Sequence, residues 1–151
     1  MTIKDQLNAD VKDAMRARDQ KKLGVLRLIT AAVKQIEVDE RIDVDDARML
    51  VIFDKMSKQR LESIAQFKSA GRDDLVAQEE FELEIIRHYM PTPLSQPEIE
   101  HMIADAFASI QIQTMADMGK IMAHLKPQMQ GRADMALVSA AVKAQLNITL
   151  Q

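Results

Sequence analysis

His88, His101 and His124 are the side chains best suited to acid–base work near neutral pH. They fall on three different expected helices, and none stands beside a second histidine or an acid at the spacing of a zinc motif. His88 follows Glu84 by four residues, which puts both on one helix face and reads as a surface ion pair. Gly119-Lys120 hints at a phosphate loop but lacks the second glycine and the Ser or Thr after the lysine. The other glycines, at 24, 71 and 131, are equally isolated. No serine sits in the setting of a nucleophile elbow. The run Glu79-Glu80-Phe81-Glu82-Leu83-Glu84 reads as a solvated acidic face, not as paired acid and base. With no cysteine, thiolate nucleophiles, disulfides and cysteine-based zinc sites fall away together. The residues therefore predict no catalytic group, no metal and no cofactor.

What is left is charge. The net charge of −3 disfavours broad attraction to nucleic acid, so any such binding needs local patches. From Lys12 to Lys34 seven cations face only Asp13 and Asp19. Within that stretch Gly24, Arg27, Ala31 and Lys34 recur at i, i+3, i+7 and i+10 and share one helix face. Small residues beside two cations would let a phosphate backbone come close; the bland alternative is a flank where another helix packs. A second group, Lys120, Lys126 and Arg132, lies near the start and end of a later helix and in the turn after it, with Lys143 beyond. No aromatic residue interleaves with these cations, which argues against stacking on single strands. Recognition of folded RNA by backbone and shape is the form compatible with this composition, and no DNA partner is expected.

The elements that must hold these residues are helices. Apolar residues recur at three- and four-residue steps throughout, and Gly and Pro number four each. Ile3, Leu7, Val11 and Ala14 mark a first helix, with Thr2 and Asp5 as a capping pair. Leu23, Leu26, Ile29, Val33 and Ile36 mark a second, from about 21 to 39. Asp43 and Asp46 announce a third, with Leu50, Phe53, Leu61, Ile64 and Phe67 on its buried face and Gly71 at its end. A fourth carries Leu75, Leu83, Ile86 and Met90 inward. Pro91-Thr92-Pro93 breaks the pattern. Ser95 and Glu98 then have capping-box spacing before a helix with Ile99, Met102, Ile103, Ala106, Phe107 and Ile110. A helix from Thr114 to about Met129 and a last one carrying Leu137, Val138, Ala141, Val142 and Leu146 complete the chain. The expectation is an all-α protein: an N-terminal four-helix domain over 1–91 and a small C-terminal three-helix domain over 94–151. The polar N-terminus and the lack of cysteine and of long apolar runs predict a cytoplasmic protein with no membrane span.

The stretch Lys58-Gln59-Arg60-Leu61-Glu62-Ser63-Ile64-Ala65-Gln66-Phe67-Lys68-Ser69-Ala70-Gly71-Arg72-Asp73-Asp74-Leu75 resembles the central signature of the GatB/YqeY family. Asp19 to Arg27, Tyr89-Met90-Pro91, Met118 to Met122 and Gly131-Arg132-Ala133-Asp134 resemble it too, in order and at matching spacing. The resemblance covers essentially the whole chain. It implies kinship with the helical tail of the B subunit of the glutamine-dependent tRNA amidotransferase, which contacts tRNA, and not with that subunit's catalytic domain. The family label it implies is carbon–nitrogen ligase with glutamine as amido donor, yet this chain has no Cys nucleophile and no phosphate loop to perform such chemistry. Met135 stands where the family often has glycine, which weakens the turn after Gly131 as a close-approach site. The resulting expectation is a tRNA-binding accessory module in translation, with Lys120, Lys126 and Arg132 as phosphate contacts and Arg27 and Lys34 as secondary ones. The competing expectation is a helical protein–protein adaptor, with a partner in aminoacyl-tRNA metabolism.

Overall fold

A computed structural model describes residues 1–151 as seven α-helices and one 3-10 turn, with no strand. Helix-forming residues and few breakers account for the class; the ends of each helix are set by particular side chains. The chain divides into two compact units, Met1–Pro91 and Thr92–Gln151.

The first unit holds α1 (Ile3–Arg16), α2 (Gln20–Glu40), α3 (Asp46–Ser69) and α4 (Asp73–His88). Thr2 and Asp5 form the expected reciprocal capping box on α1. Asp19 caps α2 by accepting from the Lys22 amide at 3.2 Å. The cap of α3 is Asp45, accepting from the Arg48 amide at 2.9 Å. Asp43 instead accepts from the Lys4 ammonium at 2.8 Å, so the acid that announces α3 in sequence is spent on α1. Gly71 ends the α3 corner at φ +70, where a side chain would be strained. Two turns use the same left-handed region without glycine, at Arg18 and Arg41.

Leu7, Leu26, Ile29, Met49, Phe53 and Ile86 are the centre of this unit's core. Every helix contributes to it. A smaller core of Ile64, Val76 and Leu83, with Phe67 against it, lies between α3 and α4 alone. Leu61 does not join either: it is 47% exposed, against its expected burial. It lies three residues before the buried Ile64, so helix rotation carries it about 60° off the inward direction. Glu82 departs the other way. The acidic run is not solvated throughout, because Glu82 lies four residues before the fully buried Ile86 and is only 7% exposed.

The second unit holds α5 (Gln96–Ser109), the 3-10 turn Met115–Asp117, α6 (Met118–Met129) and α7 (Met135–Thr149). Ser95 and Glu98 form the expected capping box, with Pro97 in the first turn. The helix expected from Thr114 begins instead as a 3-10 turn, because the Asp117 carboxylate folds back onto the Gln113 and Thr114 amides. Pro127 is tolerated in the last turn of α6, and Gly131 turns the chain at φ +78. Ile103, Ala106, Ile121, Leu125, Met129, Val138, Val142 and Leu146 form the core. Leu137, expected on the inner face of α7, is 70% exposed. It precedes the buried Val138 by one residue and is rotated about 100° from it.

Candidate nucleic-acid interface

Arg27 and Lys34 lie on α2, where the buried stripe is Leu23, Leu26, Ile29 and Val33. That stripe fixes the direction of the helix, and Gly24, Arg27, Ala31 and Lys34 are all exposed as a result. Seven residues amount to nearly two full turns, so Arg27 and Lys34 project almost in line, about 10 Å apart along the axis. A methyl group built on Gly24 would meet nothing within 4 Å. No other helix of the first unit packs closely against Gly24. Leu28, at 49% exposure, is a single apolar side chain about a quarter turn round the helix from Arg27.

Other cations of the Lys12–Lys34 stretch surround the α1–α2 corner. Lys12, Arg16, Arg18 and Lys22 are exposed. Arg16 lies 3.4 Å from Asp13, both widely exposed, an ion pair too solvated to hold the arginine firmly. Lys21 is placed differently, with its ammonium 4.2 Å from the centre of the Phe81 ring. It therefore ties α2 to α4 while keeping its charge at the surface.

The second set is more dispersed. Lys120 is exposed in the first turn of α6 and pairs with Asp117 at 3.3 Å. Asp117 is itself held down to about 2, first by the Gln113 amide at 2.6 Å and then by the Thr114 amide at 3.0 Å. Lys126 is exposed in the last turn of the same helix. Six residues separate the two lysines, a rotation of roughly 240°, so they leave α6 on different sides. Arg132 is half-buried and engaged: its Nε donates to the Thr92 carbonyl at 3.1 Å, and its own carbonyl accepts from the Leu94 amide at 2.8 Å. The helix and turn bring these three residues into one unit without aligning them on one face.

A groove in the first unit joins two segments that the sequence quotes far apart. Asp19 and Lys22 from the start of α2 line it together with Phe81, Glu84, Ile85, His88 and Tyr89. The Tyr89 hydroxyl donates to the Asp10 carboxylate, and its ring stacks on Phe53 with centroids 5.7 Å apart. Burial, then the bond to Asp10, push the phenol well above its ordinary range. Residue types alone give no sign of this pairing, since its partners lie 79 residues apart.

Residues 4–146 match the family model described as Yqey-like protein. The chain belongs to the YqeY-like family. Several relatives of this YqeY-like protein are named altered inheritance of mitochondria protein 41, mitochondrial. That of Eremothecium gossypii is 39% identical over 103 residues, which are 67% of this chain and 56% of the relative. That of Pyrenophora tritici-repentis is 27% identical over 131 residues, 85% of this chain and 71% of the relative. One from Saccharomyces cerevisiae is 36% identical over 85 residues, 56% of this chain and 46% of the relative. The matched part thus spans about half the length of the first and third of these relatives. The cytoplasmic expectation is corrected at this point, because these relatives carry mitochondrial names. Its physical basis was also too broad: a chain without cysteine suits any reducing compartment. No helix of the YqeY-like protein is long and apolar enough to cross a membrane.

Proposed function

We propose that this YqeY-like protein is a tRNA-binding accessory module that meets the phosphate backbone through exposed cations. The open face of α2 carries the proposal: Arg27 and Lys34 in line, flanking small residues, with free space over Gly24. Lys120, Lys126 and Arg132 are a second, weaker contact, since Lys120 and Arg132 already have partners. The resemblance to the tail of the tRNA amidotransferase B subunit supports tRNA as the RNA. Any part in amide transfer then lies in presenting tRNA to an enzyme. The names of the relatives support a mitochondrial setting. We also propose that the two compact units are independently folding domains, four helices followed by three.

The test is fluorescence anisotropy of labelled total tRNA across a salt series. The expected log–log slope corresponds to several released counterions, and it falls by about two for Arg27→Glu/Lys34→Glu. The variant Lys120→Glu/Lys126→Glu/Arg132→Glu loses less affinity. Absence of binding at low salt sinks the proposal. It would favour the second reading, a helical protein–protein adaptor, for which the observation is the apolar exposure of Leu137 (70%) and Ile148 (65%) on α7.

A further inference from the structure

A groove runs between α1 and α2, along the flank of α2 that carries Lys34. Lys4, Leu7 and Asn8 line it from α1, and Thr30, Val33, Lys34 and Glu37 from α2, around a volume of about 230 Å³. Its floor is closed: Leu7 and Val33 are 1% and 3% exposed, so it offers no apolar bed for a base. One end is closed too, by charges that cancel. Lys4 donates to Glu37 and to Asp43, and Glu37 also accepts from the Val44 amide. What stays open to a ligand is Asn8, Thr30 and Lys34.

Those three side chains differ in what they can bond. The Thr30 hydroxyl donates to the Arg27 carbonyl at 3.0 Å, so its oxygen is left as an acceptor. Asn8 is exposed, and its amide supplies both donors and an acceptor. Thr30 comes after Arg27 and before Lys34, so it sits between two cations about 10 Å apart along the axis. Adjacent phosphates of one strand lie closer than that along a duplex axis, at about 3.4 Å. A strand that meets both cations therefore sets at least one sugar between them, beside Thr30. A phosphate diester has only acceptors and gains nothing from the Thr30 oxygen. A ribose 2′-hydroxyl both donates and accepts, and so matches Thr30 and Asn8 together; a deoxyribose matches neither.

We propose that Asn8 and Thr30 recognise the 2′-hydroxyl of a ribose held between the phosphate contacts of Arg27 and Lys34. The α1–α2 groove is then where this protein tells RNA from DNA. The inference rests on the reading of α2 as an RNA-binding face, and adds to it which group of the strand is recognised.

The probes are an unmodified tRNA transcript and a DNA strand of the same sequence, followed by anisotropy with the full chain at low salt, where phosphate contacts alone hold DNA. Wild type is expected to bind the transcript more tightly. Asn8→Ala/Thr30→Val is expected to weaken the transcript roughly tenfold, for two lost hydrogen bonds, and to leave DNA within about twofold. Both substitutions keep the fold, since Asn8 is exposed and valine has the shape of threonine. Arg27→Glu/Lys34→Glu is expected to weaken both probes. A double variant Asn8→Ala/Thr30→Val that binds the transcript as wild type does, or that loses DNA to the same extent, overturns the inference and leaves RNA binding standing. A wild-type chain that binds neither probe overturns the RNA reading, and this inference with it.

Discussion

The Tyr89 hydroxyl hydrogen-bonds the Asp10 carboxylate, joining the end of α4 to the middle of α1 across 79 residues. Tyr89 also stacks on Phe53 in the heart of the first unit, so the bond locks the orientation of a ring that is already packed. The phenol holds its proton more tightly in the folded protein than in the unfolded chain. Its contribution is therefore complete below pH about 10 and is lost as pH rises above it, when the unfolded state releases the proton first. Tyr89→Phe keeps the stacking and removes the donor. It should cost about 1–2 kcal/mol at pH 7, measured by urea denaturation. A variant as stable as wild type would show that the bond contributes nothing net.

Lys4 clamps α1 to the α2–α3 connection, with its ammonium 2.5 Å from Glu37 and 2.8 Å from Asp43. The bond to Asp43, then that to Glu37, raises the lysine, and the bond from Lys4 lowers Asp43. A lowered carboxylate stabilises above its unfolded value of 3.8 and ceases to do so as pH falls through its folded value. Lys4→Met should lower Tm at pH 7 by a modest amount, because Asp43 is almost fully exposed and Lys4 and Glu37 are only partly buried. The gap from wild type should close on acidification below 3.8, which thermal scans at several pH values would follow. A gap that persists in acid would assign the loss to packing of the lysine stem.

Ser95 offers a way to ask whether the two units melt separately. Its hydroxyl accepts from the Glu98 amide at 3.3 Å, and Glu98 returns a bond from the Ser95 amide at 3.2 Å. Ser95→Ala should cost about 1 kcal/mol. If the units are independent domains, calorimetry should show the loss in one transition and leave the other in place. A single transition that shifts as a whole would mean that the chain unfolds as one cooperative body.

The features legible in sequence are those set by one or two nearby residues. Thr2 with Asp5 and Ser95 with Glu98 cap as their spacing requires, and Gly71 and Gly131 take the left-handed turns. Arg18 and Arg41 turn the chain in the same region, and nothing in an arginine announces it. Leu61 and Leu137 share the helical period with buried neighbours, but whether such a position is covered depends on what packs beside it. The candidate interface divides along the same line. The shared face of Arg27 and Lys34 follows from spacing alone, while the tie from Arg132 to Thr92 depends on the path of the chain 40 residues earlier.

Glu82 is the sharpest case of a residue whose neighbours decide its meaning, and it yields the strongest stability prediction. Its side chain is 10% exposed, and that of Arg60, on the facing helix, 15%. They approach at 3.8 Å, too far for a strong charge-assisted bond, and the Arg60 Nε has no partner. Burial raises the Glu82 carboxyl above its ordinary value, with Arg60 pulling it partly back. A carboxyl raised in the folded state binds its proton more tightly than in the unfolded chain, so stability falls as pH rises from about 4.5 through the folded value. At pH 7 the charged pair thus gives little net stability, yet either charge alone is expensive. Arg60→Met should cost about 3 kcal/mol by leaving Glu82 buried and unpaired. Arg60→Met/Glu82→Leu should recover all or most of that loss, because two apolar side chains of similar size extend the small core of Ile64, Val76 and Leu83. Guanidinium unfolding of the four members of this cycle provides the check. A double variant as unstable as Arg60→Met would mean that the loss comes from the packing of the arginine itself, and that Glu82 is not a liability at neutral pH.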